Sequence, residues 1–394
     1  MKKSHISLAI GGLGIGTTEF VMMGLLPDIS SSLRISIPEA GHLISAYALG
    51  VVIGAPTLVT FTAKYPPKRI LLILMLIFTV FNALSALSSN YHTMLLARLL
   101  SGLPHGAFFG IGSVVAGRLA EKGKEAQAIS IMFSGLTFAN LLMVPLGTYI
   151  GHYFSWRLTF GVIALIGLLT LAAISLWMPA LSSQNSGGIR SELNLFKRPE
   201  ALLLILMTAI GTGGLFSWLS YIAPMMINVT RFDADWIPYI MILAGAGMVL
   251  GNFIGGKMAD SMPPSRACLF ILMGIVLCLS INYFAAPYKG ATLFMTFVTG
   301  AVTFSLASPI QLLMIRTAKG AEMLGASLTQ AAFNIGNALG AYWGGLPIDA
   351  GFSMASPLLV GIGMVLFGIV VLLLFNRTQK QKHEKQIALS ENAY

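Results

Sequence analysis

Twelve windows of about 20 mostly apolar residues leave this chain little choice of fold. They fall near 5–27, 41–61, 69–88, 92–116, 126–149, 157–178, 200–224, 236–258, 266–286, 290–314, 323–346 and 353–375. A helix of that length matches the hydrocarbon thickness of a bilayer. In lipid every backbone N–H and C=O must find its partner within the protein, so only helices or closed barrels span. Barrel strands would read as short alternating segments. The expectation is an all-α integral membrane protein with twelve transmembrane helices. Only 10% of the 394 residues are charged and 56% are hydrophobic, against about 25% charged in soluble domains. The opening "MKKSHISLAIGGLG" has the basic start of a signal peptide, but its apolar run continues past Glu19 to Leu26 with no cleavage site. It reads as a retained first span.

The net charge of +10 invites a nucleic-acid reading, and the distribution of the charges opposes it. With the N-terminus placed in the cytoplasm, four basic residues fall outside (Arg34, Arg157, Arg231 and Lys289) and Arg98 lies within a span. The other nineteen of the 24 Lys and Arg sit in cytoplasmic loops and tails. That asymmetry is the positive-inside pattern. It puts both termini in the cytoplasm, favours an even number of spans and needs no nucleic acid. The basic tail "NRTQKQKHEKQ" reads as a solvated end that could touch anionic lipid.

The longest hydrophilic stretch between spans runs from Ala180 to Glu200 and splits the chain six plus six. The expected division is an N-terminal six-helix bundle at 1–179, a linker at 180–199, a C-terminal bundle at 200–376 and a tail at 377–394. Sliding the chain by 197 residues brings Gly14 onto Gly211, Gly16 onto Gly213, Pro27 onto Pro224, Gly50 onto Gly247 and Gly54 onto Gly251. It also brings Pro66, Pro67 and Arg69 onto Pro263, Pro264 and Arg266. Residues that set helix approach and bending coincide, as a duplicated bundle would leave them. Glycines every fourth residue (Gly102, Gly106, Gly110; Gly247, Gly251, Gly255; Gly336, Gly340, Gly344) make small faces for close packing in lipid. "GAGMVLG" lacks the preceding strand that a dinucleotide site needs.

Six plus six spans with a duplicated half resemble the major facilitator superfamily. "LLARLLSGLPHGAFFG" (Leu95 to Gly110) is similar to the Arg-and-Gly motif in the fourth helix of its proton-coupled members. "GGKMADSMPPSR" (Gly255 to Arg266) resembles its Gly-x-x-x-Asp loop motif. "GTTEFVMMGLLPDI" and "PEAGHLISAYALGVVIGAP" most resemble bacterial drug-and-sugar efflux permeases, closest to the arabinose-inducible type. The resemblance implies a proton-coupled exporter in the bacterial inner membrane, acting as a monomer without cofactor. Its partners would be a small-molecule substrate, protons and lipid. The loop motif implies a cytoplasmic gate of Gly256, Asp260 and Arg266, with the latch resting on Asp260 and Arg266. In the first half Val59 and Ala63 stand where Gly256 and Asp260 stand in the second. The fifth-helix Gly-Pro motif of antiporters is also altered, with Asn140 and Val144 at glycine positions and Pro145 kept.

Glu19 and Arg98 sit at similar depth, roughly 10 Å from the outer boundary at 1.5 Å per residue. An uncompensated charge there costs several kcal/mol, so a buried pair is expected. Either the pair is static and fixes packing, or Glu19 takes up a proton when its surroundings dry and Arg98 opposes this. His105, seven residues past Arg98, is either a proton relay or a packed neutral imidazole. For the substrate cavity the candidates are Phe109, Phe216, Trp218 and Tyr221 as aromatic wall and Asn140, Gln311 and Asn334 as uncharged hydrogen-bonding groups. Cys268 and Cys278, ten residues apart on one helix, are about 15 Å apart, too far for a bridge, and no metal spacing is present. There is no catalytic triad order and no phosphate loop, so no enzyme is expected. Two other functions stay open: uptake of a sugar-like solute by a facilitator or proton symporter, and a non-transporting membrane sensor or scaffold.

Overall fold

The computed structural model describes residues 3–35, 37–62, 64–182 and 194–391, all helix, turn or loop without a strand among them. Four long helices come first: α1 Lys3–Leu33, α2 Ile37–Thr62, α3 Pro67–Leu87 and α4 Tyr91–Leu119. Helix α5 is built from Glu125–Phe138 and Val144–Ile150, joined by a π turn at Ala139–Met143. A second π turn at Gly151–Ser155 leads into α6, Trp156–Trp177. Helix α7 comprises Pro199–Gly211 and Gly213–Asn228. Then come α8 Ile237–Ser261, α9 Pro264–Ala285, α10 in two pieces Lys289–Phe304 and Ala307–Thr317, α11 Glu322–Asp349 and α12 Ser356–Glu391.

Among the described residues, ten segments are long and apolar enough to cross a membrane. One of them, 53 residues from Glu125 to Trp177, is about 80 Å of helix at 1.5 Å per residue and crosses twice. Helix α11 completes twelve; Gln330, Asn334 and Asn337 dilute its hydropathy. Most boundaries follow local chemistry. Pro67, Pro199 and Pro264 open α3, α7 and α9 at positions where a missing N–H costs nothing. Asn90 and Thr93 form a reciprocal capping box at the start of α4. The π turn of α5 ends against Pro145, with the Val144 N–H donating to the Ala139 carbonyl. A proline cannot donate to the preceding turn, and the wider turn absorbs that loss.

The glycine matches of the repeat do the same job in both halves. A Cβ on Gly50 or Gly54 of α2 would run into the carbonyls of Leu99 and Leu103 on α4. A Cβ on Gly247, Gly251 or Gly255 of α8 would run into the carbonyls of Phe297, Ala301 and Ser305 on α10. Two turns also coincide at the 197-residue offset. Gly123 and Gly320 have φ of 81° and 82°, and each donates its N–H to the glutamate two residues on, Glu125 or Glu322. Helices α3 and α6 pack together, as do α9 and α12. The first six helices meet the last six along α5–α8 and α2–α11, with α4 against α11.

The expected linker and tail meet the structure as follows. Residues 183–193 of the expected linker lie outside the described residues. The tail does not leave the bundle at residue 377: α12 runs on to Glu391, and Lys382 reaches Glu200 at the start of α7 (2.9 Å). Glu200 is almost fully covered, and a buried carboxylate needs a cation.

Gly251→Leu forces α8 and α10 apart at a backbone contact. Overpacking of this kind costs about 1–3 kcal/mol or more. The expected result is a clear drop in the thermal unfolding midpoint of the purified protein, whereas Gly161→Leu, where a Cβ meets nothing, leaves it unchanged.

Candidate functional site

Glycines bring α1 into the bundle. Gly12 lies against the Met132 carbonyl and Gly16 against Leu136 and Ala139 of α5. One turn further on, neighbouring side chains at about 100° to each other serve two environments. Thr18 is fully buried. Its hydroxyl donates to Asn82 Oδ1 on α3 (2.6 Å) and accepts from Arg98 Nη1 on α4 (2.8 Å). Asn82 passes its amide N–H to the Phe78 carbonyl (2.8 Å). Glu19, the next residue, is partly exposed on the wall of the central cavity.

Arg98 is 0% exposed. Its guanidinium carbon stands 4.4 Å from the centroid of Tyr47 on α2 and 5.7 Å from that of Phe160 on α6. Its Nε and Nη2 have no hydrogen-bond partner. The expected Glu19–Arg98 ion pair is therefore not formed: α1 offers Arg98 the Thr18 hydroxyl and turns the carboxylate toward the cavity. The two charges are near enough to act on each other electrostatically. Tyr47 links the arginine to His105, its hydroxyl lying 3.1 Å from His105 Nδ1. His105 is buried and also borders the cavity.

That cavity lies between the two halves. Glu19, Phe20, His105 and Phe133 face Phe216, Phe304, Phe333 and the amides Gln330, Asn334 and Asn337. It is narrow, about 60 Å³, with room for a few waters. Residues 330, 334 and 337 share one face of α11. Both interrupted helices reach the cavity next to their breaks, α7 through Leu215 and Phe216 and α10 through Phe304 and Ala307. Broken helices at mid-membrane are a recurring feature of solute sites.

Of the cavity candidates, Phe216 and Asn334 line it directly. Phe109 stands behind, stacked on Phe133 with centroids 5.1 Å apart. Gln311 also stands behind, accepting from Gln330 Nε2 and donating to the Ala326 carbonyl (3.1 Å each). Asn140 bonds back to the Leu136 carbonyl in its own π turn. Trp218 is packed inside the second half, and Tyr221 donates to the Ala341 carbonyl of α11 (2.7 Å). These three do not line the cavity; Tyr221 turns toward α11 of its own half.

The gate motif joins the halves. Asn252, Gly256 and Asp260 lie at four-residue spacing on one face of α8, against the start of α5. Asn252 Nδ2 donates to the Ser130 carbonyl (2.7 Å) and the Ser130 hydroxyl donates to the Asn252 carbonyl (2.8 Å). A Cβ on Gly256 would press on Ser130. Asp260 accepts the backbone N–H groups of Ala126 and Gln127 (2.8 and 2.9 Å). It thus caps a helix whose own N-cap residue, Lys124, supplies no side-chain bond. Arg266 does not share the latch: among the described residues its side chain makes no hydrogen bond or ion pair, and it is exposed. The cation at this seam is Arg316 of α10, 3.6 Å from Glu125.

Thr18, Tyr47, Asn82 and Ser130 were missed as site residues in the sequence. Asn82 carried a signal, being an amide within an apolar window that must find a partner. Nothing in the sequence pointed to Tyr47 or Ser130.

A family model described as "Major Facilitator Superfamily" matches residues 8–341. AraJ of Escherichia coli (strain K12) is 40% identical over 382 residues, covering 97% of both chains. The inner membrane transport protein YdhP of the same strain is 39% identical over 385 residues, 98% of both. Among solved structures, the proton:xylose symporter XylE superposes with a TM-score of 0.78 at 14% identity, over 95% of each chain. The E. coli fucose:proton symporter FucP gives 0.76 at 14%, over 94% of this chain and 98% of its own. At that identity the likeness is one of fold.

Thr18→Val removes the one hydrogen-bond acceptor of a buried guanidinium, a loss of about 1.5–3 kcal/mol. The expected outcome is a lower unfolding midpoint, with Thr18→Ser close to the parent. Asp260→Ala uncaps α5 at about 0.5–2 kcal/mol. Spin labels on the neighbouring ends of α5 and α8 should then show a longer, broader distance distribution; an unchanged one contradicts the latch.

Proposed function

Because this chain belongs to the major facilitator superfamily and is a multi-pass membrane transporter, we propose that it exports a small drug- or sugar-like solute in exchange for protons. The carrying observation is the placement of Glu19. It is a carboxylate on the wall of the cavity between the halves, one residue from the Thr18 that holds a buried, unpaired Arg98. Intramembrane carboxylates without a structural partner mark ion pathways.

The proposed cycle uses alternating access. When the cavity opens away from the basic end, Glu19 meets water and a proton. Neutral Glu19 lets the halves close over it, since a neutral acid tolerates a dry cavity. When the basic end opens, solute bound by the α11 amides and the phenylalanine wall competes with the proton for the cavity. Arg98 favours proton release there, and Tyr47 carries its influence to His105. The basic end is the cytoplasmic one, following the positive-inside pattern. The latch of Asn252 and Asp260 is the gate that must part. The protein works as a monomer in the inner membrane, with no cofactor and no covalent chemistry.

A thermal-shift screen against sugars, cationic drugs and metabolites identifies the solute, since a ligand of the folded state raises its stability. Inverted vesicles with an acidic interior should then accumulate it. Glu19→Gln should abolish accumulation by tenfold or more while preserving solute exchange. Uphill transport by Glu19→Gln sinks the proton role of that residue. Accumulation only in right-side-out vesicles would make the protein an uptake symporter.

A further inference from the structure

At the basic end, the start of α7, the end of α10 and the extension of α12 enclose a second cavity of about 570 Å³. Four cationic side chains line it, Arg198, Arg316, Lys319 and Lys382, against one carboxylate, Glu200. That carboxylate is already engaged by Lys382 (2.9 Å). Arg198 spends Nη1 on the Lys319 carbonyl (2.9 Å). Arg316 reaches Glu125 at 3.6 Å, with both side chains partly in solvent, a long contact of little strength. The cavity therefore holds a surplus of positive charge that its own walls do not neutralise. Its size is within the range of ligand pockets.

We infer that this cavity binds a phosphate-bearing anion, and that the occupant competes with Glu125 for Arg316. Two guanidinium groups suit phosphate oxygens, which arginine can bind in bidentate fashion. The docked α12 extension forms one wall, through Gln379 and Lys382, so the extension helps to build the site. The cavity lies where α7 begins and α10 ends, at headgroup level, where basic pockets between helices take anionic lipid. A soluble phosphate ion offers the same chemistry. Because Glu125 opens α5 and Arg316 belongs to α10, an anion that draws Arg316 away loosens one contact between the halves.

The test uses the full-length protein in a neutral maltoside detergent. Its unfolding midpoint is titrated with sodium phosphate against sodium chloride at equal ionic strength, which removes general screening. A parallel series uses phosphatidylcholine nanodiscs with increasing phosphatidylglycerol. A phosphate-specific rise assigns a soluble anion, and a rise with phosphatidylglycerol alone assigns a lipid headgroup. In either case Arg198→Gln with Lys319→Gln should raise the half-saturating concentration about tenfold or more, an energy of about 1.4 kcal/mol. Glu125→Gln, which removes the competitor, should lower it several-fold. These three side chains are at least partly in solvent, and a monodisperse gel-filtration peak checks that each variant folds. If neither probe exceeds chloride, or the double variant keeps the parent affinity, there is no such site. An unchanged affinity in Glu125→Gln removes the competition with the seam.

Discussion

A guanidinium sealed among helices with a single hydrogen bond is the constraint around which the first half is arranged. Arg98 is fully buried, yet only Thr18 accepts from it. A charge taken out of water to that degree costs several kcal/mol unless its surroundings compensate. The compensation here is spread over four helices. Thr18 of α1 supplies an oxygen, Asn82 of α3 polarises that oxygen, and Tyr47 of α2 and Phe160 of α6 present aromatic faces. A cation over a ring face gains about 2 kcal/mol when desolvated. Glu19, which borders the cavity, is a carboxylate near enough to feel that charge.

The two halves share a backbone plan but not a polar plan. The glycine contacts of α2 with α4 return in α8 with α10 because backbone approach tolerates no Cβ at those points. The polar latch does not return. Ser130 meets Asn252, whereas its repeat counterpart Ser327 keeps a hydroxyl without a partner; the residue offset from Asn252 is Ala55. The seam between α5 and α8 is thus tied by hydrogen bonds and a helix cap, and that between α2 and α11 by packing. Directional bonds break over a short displacement, while packed apolar faces slide and re-pack.

The sequence made the twelve helices legible because burial of backbone polar groups in lipid forces an unmistakable pattern. It also exposed the repeat, since Gly and Pro report backbone geometry directly. Glu19, Arg98 and His105 stood out as charged or titratable groups in apolar surroundings. What it missed was pairing. Neighbouring residues on α1, Thr18 and Glu19, face different environments, and nothing in a span that is apolar all round says which of them meets Arg98. The same ambiguity placed Trp218, Tyr221 and Asn140 in a cavity that they do not line. The resemblance of the loop motif implied a role for Arg266 at the seam, where the cation that reaches across is Arg316.

By itself, then, the sequence determined how many times the chain crosses the membrane, which surfaces pack by close backbone approach, and which charges sit in the hydrocarbon. Those follow from local rules about hydrogen bonding and transfer out of water. The tertiary structure alone decided which oxygen satisfies Arg98, that Asp260 caps a helix of the opposite half, and that Gln330, Asn334 and Asn337 face a phenylalanine wall. Such outcomes depend on helix rotation and on contacts 80 or more residues apart for Arg98 and Asp260, and a helix with no polar face carries no record of its own rotation.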